Sequence, residues 1–241
     1  MEKSYAAIVD VETTGFDPEK DEITEFAALK FAYGGVDGYP ITESYCGIQE
    51  VSTPISDEVE KLTGLNAAIC KGESIDWPLV HTMLEDVDYI IAHNAKFDKS
   101  FLNKLLEPTN AKWACTMQHI EWDVHGYRAF GLNYLACDHG FLNPFPHRAL
   151  FDCATTYKLA VPYMQELLLN CKEPTYTVYA WNSPFDLKDR LKEQKFYWDP
   201  AKKVWFRDAL KHKALHLMAW LKEHVYMEGH CHAEMVEGEP L

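Results

Sequence analysis

Apolar residues along the first part of the chain fall into short runs that predict strands. Residues 5–11, which read YAAIVDV, are apolar and β-branched and end at a Thr-Thr-Gly turn, so they predict a buried strand. Two further strands are predicted at 22–33 and 42–48, with a glycine-rich turn between them. The chain therefore opens with a three-stranded meander.

Helical spacing then alternates with short apolar runs. The predicted helices cover residues 56–62, 75–85, 96–107, 117–124, 132–139 and 148–171, and the predicted strands cover 89–92 and 112–115. Pro162 should interrupt the last helix because proline has no backbone N–H to donate. Antiparallel strands followed by strand–helix–strand units predict an α/β domain whose mixed sheet is flanked by helices.

The pattern changes after a polar joint at 172–175, and the remaining residues predict a small α+β module. Its predicted elements are a strand at 176–181, a helix at 184–194, two aromatic strands within 196–207 and an amphipathic helix at 208–225. We expect three parts: a domain over 1–172, an accessory module over 173–226, and a flexible acidic tail over 227–241.

Composition and charge narrow the class of protein. With 241 residues, 47% of them hydrophobic and 25% charged, the chain is neither fibrous nor wholly disordered. A formal net charge of −14 argues against binding to phosphate backbones. Residues 188–222, however, hold ten Lys and Arg against four acids, so nucleic acid stays a candidate partner.

The location is predicted from the cysteines and from the beginning of the sequence. Seven scattered cysteines without a CxxC pair predict neither a disulfide framework nor a structural zinc site. The first residues lack the features of a signal peptide, and no apolar run is long enough to cross a bilayer. We expect a cytoplasmic protein without a membrane partner.

The first predicted strand carries Asp10 and Glu12 at its end. Residues i and i+2 of a strand point to the same face, so the two carboxylates lie side by side and repel. A divalent cation would remove that repulsion, and carboxylate oxygens are the ligands that magnesium or manganese prefers. An isolated pair of this kind is more often simply two exposed acids at a strand end.

Two further segments add acids at the beginnings of helices. The sequence HNAKFD follows the strand at 89–92 and puts Asp98 in the first turn of a helix, where open α/β sheets collect ligands. The sequence HRALFD sets His147 five residues before Asp152. Together the three segments supply four carboxylates and one imidazole to one sheet.

The sequences DVETTG, AHNAKFD and HRALFDC, in this order and spacing, resemble the three motifs of the DEDDh, or DnaQ-like, 3′–5′ exonucleases. The resemblance spans about residues 5–170 and implies an RNase H-like fold with a mixed five-stranded sheet. It implies that two Mg²⁺ or Mn²⁺ ions are bound by four catalytic carboxylates and that His147 is the general base. The four carboxylates are Asp10, Glu12, Asp98 and Asp152.

The same resemblance implies substrate contacts. Thr13 and Phe16 would lie beside the 3′-terminal nucleotide, and Leu62 belongs to a stretch that would pack on the terminal base. His93 and Asn94 lie in the second motif, where they would contact substrate or support the ligands. Capping of the following helix is an equal alternative for Asn94.

Hydrolysis of DNA at single-stranded or frayed 3′ ends, with release of nucleoside 5′-monophosphates, is therefore the expected activity. Three alternatives stay open: an exonuclease that trims RNA 3′ ends, a proofreading-type subunit that acts by docking to a polymerase or another nuclease, and an inactive family member. The presence of all five motif residues argues against the last of these.

Residues 185–207 of the accessory module interleave basic and aromatic side chains. Aromatic faces can stack bases while basic side chains follow the backbone of a single strand. Some of these aromatics must instead form the core of the module, and the sequence does not separate the two groups. A grip on substrate or on a partner is the hypothesis for this module.

Overall fold

The computed structural model describes residues 4–36, 38–106, 109–226 and 232–238. The chain divides into two compact units between Cys171 and Lys172. Among the described residues, no helix combines the length and the apolar character that crossing a membrane requires.

A mixed five-stranded sheet forms the centre of the first unit. Its strands are β1 (Ser4–Thr13), β2 (Ile23–Tyr33), β3 (Ile41–Ile48), β4 (Val87–Ala92) and β5 (Lys112–Cys115). The order is β3-β2-β1-β4-β5, in which β2 pairs antiparallel with both β1 and β3, and β4 pairs parallel with both β1 and β5. The predicted mixed sheet is therefore confirmed, and β1 is its central strand.

The helices of this unit cover both faces of the sheet. They are α1 (Asp57–Thr63), α2 (Ala67–Cys70), α3 (Trp77–Leu84), α4 (Ala95–Leu106), α5 (Thr116–His119), α6 (Leu132–Asp138), α7 (Ala149–Ala160) and α8 (Met164–Asn170). A 3₁₀ turn over Val161–Tyr163 separates α7 from α8, as Pro162 predicts. Residue 107, the last residue of the helix predicted at 96–107, lies outside the described residues.

The helix predicted at 117–124 is much shorter than expected. It ends at His119, because the buried Trp122 turns the chain inward and its Nε1 donates to the carbonyl of Thr116 at 2.7 Å. Tertiary packing of one large side chain thus overrides the local helical spacing.

Alternation along β1 decides which face the acids occupy. Val9 and Val11 belong to a core cluster that includes side chains of α3 and α4. Ile8 belongs to a second cluster, together with Cys153 and other side chains of α7. Asp10 and Glu12 continue the face of Ile8, so they point toward α7.

The second unit is a four-stranded antiparallel sheet with helices on one face. Its elements are β6 (Thr175–Ala180), α9 (Lys188–Glu193), β7 (Tyr197–Asp199), β8 (Val204–Leu210), α10 (Lys211–His224) and β9 (Ala233–Glu237), in the sheet order β7-β8-β6-β9. Val178, Leu217 and Leu221 join β6 and α10 in a separate core.

Two predictions for this unit are wrong. Residues 233–237 are not a flexible tail, because β9 pairs with the whole of β6, from Tyr176 opposite Glu237 to Ala180 opposite Ala233. Residues 227–231 and 239–241 lie outside the described part of the chain. The last helix begins at Lys211 rather than at 208, because Asp208 to Leu210 extend β8 along β6.

Candidate active site

The carboxyl end of β1 carries Asp10 and Glu12, and α4 brings Asp98 to the same place. The backbone N–H of Val11 donates to Oδ1 of Asp98 at 3.2 Å, so this carboxylate lies against the strand between the two acids. Asp98 occupies the first turn of α4, where a helix dipole favours negative charge. The three acids therefore meet although 88 positions separate the first from the last.

The beginning of α7 supplies the fourth carboxylate. Asp152 lies in the first turn of α7, and both of its oxygens accept hydrogen bonds. Nδ2 of Asn143 donates to Oδ1 at 2.6 Å, and the backbone N–H of His147 donates to Oδ2 at 2.9 Å. These two bonds fix the orientation of the carboxylate.

His147 adopts a left-handed backbone conformation with a φ of 62°. A residue with a Cβ adopts this conformation only when its surroundings impose it, at a cost of about 1–3 kcal/mol. The bond from its N–H to Asp152 holds the strained residue in place. Strain of this kind concentrates at functional sites.

Burial and mutual repulsion raise the pKa values of the acids. Burial raises the pKa of Glu12 to about 8, and the charges of Asp152, Glu25 and Asp98 add to the effect. The pKa of Asp98 also rises to about 8, chiefly because the carboxyl is buried. Burial, followed by repulsion from Asp98, raises the pKa of Asp10 well above its ordinary value.

Burial also raises the pKa of Asp152, although the charge of His147 and the hydrogen bonds to the carboxylate oppose this shift. The site therefore concentrates negative charge, which Arg148, bound to Glu25, offsets only in part. One donor atom from each of Glu12, His147 and Asp152 lies within 4.8 Å of the others. Oxygen-rich donors at this spacing fit a hard divalent cation.

An ion pair beneath the site joins β2 to the beginning of α7. Glu25 is buried and lies directly opposite Glu12 in the sheet. Its carboxylate accepts from Nη2 of Arg148 at 2.7 Å, from Nε of Arg148 at 3.1 and 3.2 Å, and from the backbone N–H of Ala149 at 2.9 Å. Glu25 thus holds the segment that carries His147 and Asp152 against the sheet.

The loop after β1 presents one of the predicted substrate residues and uses another for its own structure. The side chain of Phe16 is 89% exposed, and its ring packs edge-on against Phe97 at a centroid distance of 6.2 Å. Thr13 is buried, and its hydroxyl donates to the carbonyl of Gly15 at 2.5 Å. Phe97 directly precedes Asp98 in α4.

His93, which the sequence predicts to contact substrate or to support the ligands, binds two groups of the fold through its ring. Its Nε2–H donates to the carbonyl of Phe130 at 2.8 Å, which leaves Nδ1 to accept from the hydroxyl of Thr116 at 2.8 Å. Burial lowers its pKa to about 4, so the ring is neutral near pH 7. Both ring nitrogens are used inside the fold, which favours the supporting role of His93 over a substrate contact.

The structure places Asn94 and Leu62 at the surface. Asn94 is exposed and has a φ of 67°, which is not the extended backbone of an ordinary helix N-cap. Leu62 lies on α1 with 52% of its side chain exposed. Both remain available to a substrate.

Four residues around the site were not predicted: Glu25, Arg148, Asn143 and Phe97. Only Glu25 leaves a signal in the sequence, as an acid within the apolar run ITEFAAL. The others gain their meaning from contacts with residues far away in the chain.

Comparison with known proteins identifies the family. The exonuclease family of the RNase T type matches residues 7–160, which is more than half of the chain. The chain belongs to this exonuclease family, and it is a DEDDh, DnaQ-like member.

Two relatives show how far the sequence similarity extends. DNA polymerase III subunit epsilon of Aquifex aeolicus is 28% identical over 196 residues, which cover 78% of this chain and 90% of that protein. A DNA polymerase III of the PolC type from Thermotoga maritima is 29% identical over 174 residues. That match covers 66% of this chain but only 12% of the polymerase.

Solved structures show the same fold. Exonuclease X in complex with 5′ overhanging duplex DNA is 23% identical with a TM-score of 0.51, and the match covers 66% of this chain and 91% of that one. The nuclease domain of 3′hExo, a DEDDh family member bound to rAMP, is 19% identical with a TM-score of 0.54, covering 68% and 93%. The first unit therefore has the RNase H-like fold that the motifs imply.

Proposed function

We propose that this chain is a metal-dependent 3′–5′ exodeoxyribonuclease that acts in the cytoplasm on single-stranded or frayed 3′ ends of DNA and releases nucleoside 5′-monophosphates. The observation that carries the proposal is the convergence of four carboxylates at the end of β1, beside an imidazole. The similarity to a polymerase subunit epsilon supports DNA as the substrate.

Two Mg²⁺ or Mn²⁺ ions, held by Asp10, Glu12, Asp98 and Asp152, would supply the positive charge that a phosphodiester needs before a nucleophile can approach it. His147 would accept the proton of the attacking water, because imidazole is suited to proton transfer near neutral pH. Asn143 keeps Asp152 oriented. The exposed ring of Phe16 offers a surface on which the terminal base can stack.

The test uses single-stranded DNA labelled at either end, with Mg²⁺ or Mn²⁺. A 3′ label should appear at once as a mononucleotide, whereas a 5′ label should give a ladder that shortens with time. Asp10→Ala should lower kcat by at least ~10³-fold and His147→Ala by ~10²–10⁴-fold, because these changes remove charge stabilisation and the general base.

The matched control is Asp138→Ala, which removes an exposed acid of the same unit. This variant should keep wild-type activity, and circular dichroism should show that all three variants are folded. Full activity in Asp10→Ala or His147→Ala would contradict the assignment of these residues.

RNA is the second candidate substrate, supported by the nuclease domain of 3′hExo, which was solved with rAMP. RNA of matched sequence in the same assay separates the two, because the pocket either tolerates or rejects the 2′-hydroxyl. A polymerase-associated role is supported by the names of the epsilon and PolC relatives. Stable co-purification with a polymerase would favour that role.

A further inference from the structure

The second unit has one sheet face that its helices do not cover. Side chains of α10 and α9, among them Leu191, Leu217 and Leu221, pack with Val178 on one face. The other face carries the alternate residues of β6 and β8, including Tyr179 opposite Phe206. None of the described helices of this unit contributes to that face.

Aromatic side chains form a continuous row across the uncovered face. The row runs through Tyr197 on β7, Phe206 on β8 and Tyr179 on β6 and ends at Trp181. Successive ring centroids are 6.4, 6.5 and 5.5 Å apart. Tyr197 is 57% exposed, and the other three rings are partly exposed. Contiguous exposed apolar surface is typical of binding sites, so the row is suited to a ligand.

Positive charge borders the row. The turn between β7 and β8 carries Lys202 and Lys203, both exposed. Nζ of Lys202 lies 5.2 Å from the centre of the Tyr179 ring and 3.3 Å from its hydroxyl oxygen. Three acids lie on the same face: Asp199 accepts from the backbone N–H groups of Ala201 and Lys202, Asp208 accepts from the hydroxyl of Thr177, and Glu234 accepts from Nε1 of Trp181.

We propose that this face, defined by Tyr197, Phe206, Tyr179, Trp181 and Lys202, binds single-stranded nucleic acid. Every base has an apolar face that can stack on an aromatic ring, and lysines can follow the phosphates. The row of rings, with Lys202 in contact with the Tyr179 ring, favours this ligand over an apolar protein surface. The proposal deepens the proposed exonuclease function, on which it rests, by giving long substrates a second point of attachment.

The binding test uses the full chain in EDTA, so that no hydrolysis occurs, and fluorescein-labelled 20-nucleotide single strands of DNA and RNA. Tyr197→Ala and Phe206→Ala should each raise Kd about tenfold, the effect of losing one stacked base. Tyr179→Phe should bind like wild type because it keeps the ring. Lys202→Gln should weaken binding more at low salt than at high salt.

Two control variants test whether the loss of any exposed apolar side chain weakens binding. Tyr134→Ala removes a 70% exposed ring from the first unit, and Leu215→Ala removes a 53% exposed side chain from α10. Neither should change Kd. Because Tyr197 is mostly exposed, its substitution tests the surface even if Phe206→Ala destabilises the unit.

Kinetics then link the surface to the enzyme. With Mg²⁺, Tyr197→Ala should raise KM for a 30-nucleotide strand about tenfold and leave kcat unchanged. Its kinetics on a dinucleotide should equal those of the wild type, since a dinucleotide occupies only the catalytic site.

Unchanged Kd and KM in Tyr197→Ala and Phe206→Ala, with an active wild type, would overturn the inference and leave the proposed function standing. An inactive wild type whose binding still depends on the row would overturn the proposed function alone. Self-association of the chain that Tyr197→Ala abolishes, with Kd unchanged, would assign the face to a second copy and overturn the inference.

Discussion

The carboxyl group of Glu12 lies where burial and neighbouring acids oppose its ionisation. It is buried, it faces Asp152 and Asp98, and its cross-strand neighbour is another glutamate. Arg148 opposes these effects but is shared with Glu25. The carboxylate is therefore costly to ionise unless a cation binds beside it.

The protein without a bound cation should lose stability as the pH rises from about 4.5 to about 8. Folding raises the pKa of Glu12 from 4.5 to about 8, so the native state holds the proton more tightly than the unfolded chain does. The contribution of this group to the free energy of unfolding is therefore fully present below pH 4.5 and is lost as the pH rises through about 8. Urea unfolding in EDTA at pH 5, 6.5 and 8 measures this loss, on the order of a few kcal/mol.

Glu12→Gln should weaken this pH dependence and make the cation-free protein more stable than the wild type at pH 8. The raised pKa values of Asp10 and Asp98 should preserve part of the dependence. Asp138→Gln on the surface of the same unit is the matched control and should leave the dependence unchanged. Addition of Mg²⁺ at pH 8 should raise the Tm of the wild type more than that of Glu12→Gln. An identical pH profile in both proteins would contradict the account of this carboxyl.

An ion pair between Glu25 and Arg148 joins strand β2 to the beginning of helix α7. The side chain of Arg148, the residue at the N-cap of α7, makes no capping hydrogen bond. The carboxylate of Glu25 accepts the N–H of Ala149 instead. Cys153, one turn further on, lies close enough to the sheet for its Sγ to contact the carbonyls of Ile8 and Ala27. The position of Asp152 thus depends on a residue that touches no substrate.

Glu25→Gln should lower kcat at least tenfold with little change in KM, because it loosens the segment that positions His147 and Asp152. Stability should fall by about 1.5–3 kcal/mol, the range for hydrogen bonds to charged groups. Steady-state kinetics and urea unfolding measure the two effects.

Lys30→Met provides the matched control on the same strand. Lys30 is buried and pairs with Glu43 at 2.9 Å and Asp86 at 2.7 Å, so its loss also breaks a buried ion pair. It should destabilise the protein by a similar amount without an effect on kcat. Equal kinetic losses in both variants would show that Glu25 acts through stability alone.

The whole chain consists of two units that each have their own core. Two clusters flank the sheet of the first unit, and a third lies between the sheet and α10 of the second. Residues 1–171 hold 26 Asp and Glu against 12 Lys and Arg, whereas residues 172–241 hold 11 of each, so the net charge of −14 lies in the first unit. This difference in charge is consistent with the proposal that the second unit binds substrate.

A chain that ends at Cys171 should fold and unfold cooperatively, because its core is complete without the second unit. It should hydrolyse a dinucleotide like the full chain but show a higher KM on long single strands. Differential scanning calorimetry and kinetics on both substrates test this. A truncated protein without a thermal transition, or with an unchanged KM on long strands, would contradict it.

Local patterns predicted the strands of the first sheet, the interruption at Pro162 and the common face of Asp10 and Glu12, because these follow from short-range periodicity and backbone chemistry. The family motifs also identified Asp98, His147 and Asp152 as candidates for the site. The same patterns did not show that Thr116 and Phe130 use both ring nitrogens of His93. They also failed at 233–237, because an edge strand depends on its distant partner.

Only the tertiary structure decided how strongly the acids interact, that Glu25 and Arg148 support them, and which aromatics of the second unit face outward. Each of these depends on contacts between residues far apart in the chain, and no local spacing encodes such contacts. Burial and pKa values change only when distant segments exclude water from one another. For this reason the sequence determined the chemistry that the site can offer, and the fold determined its arrangement.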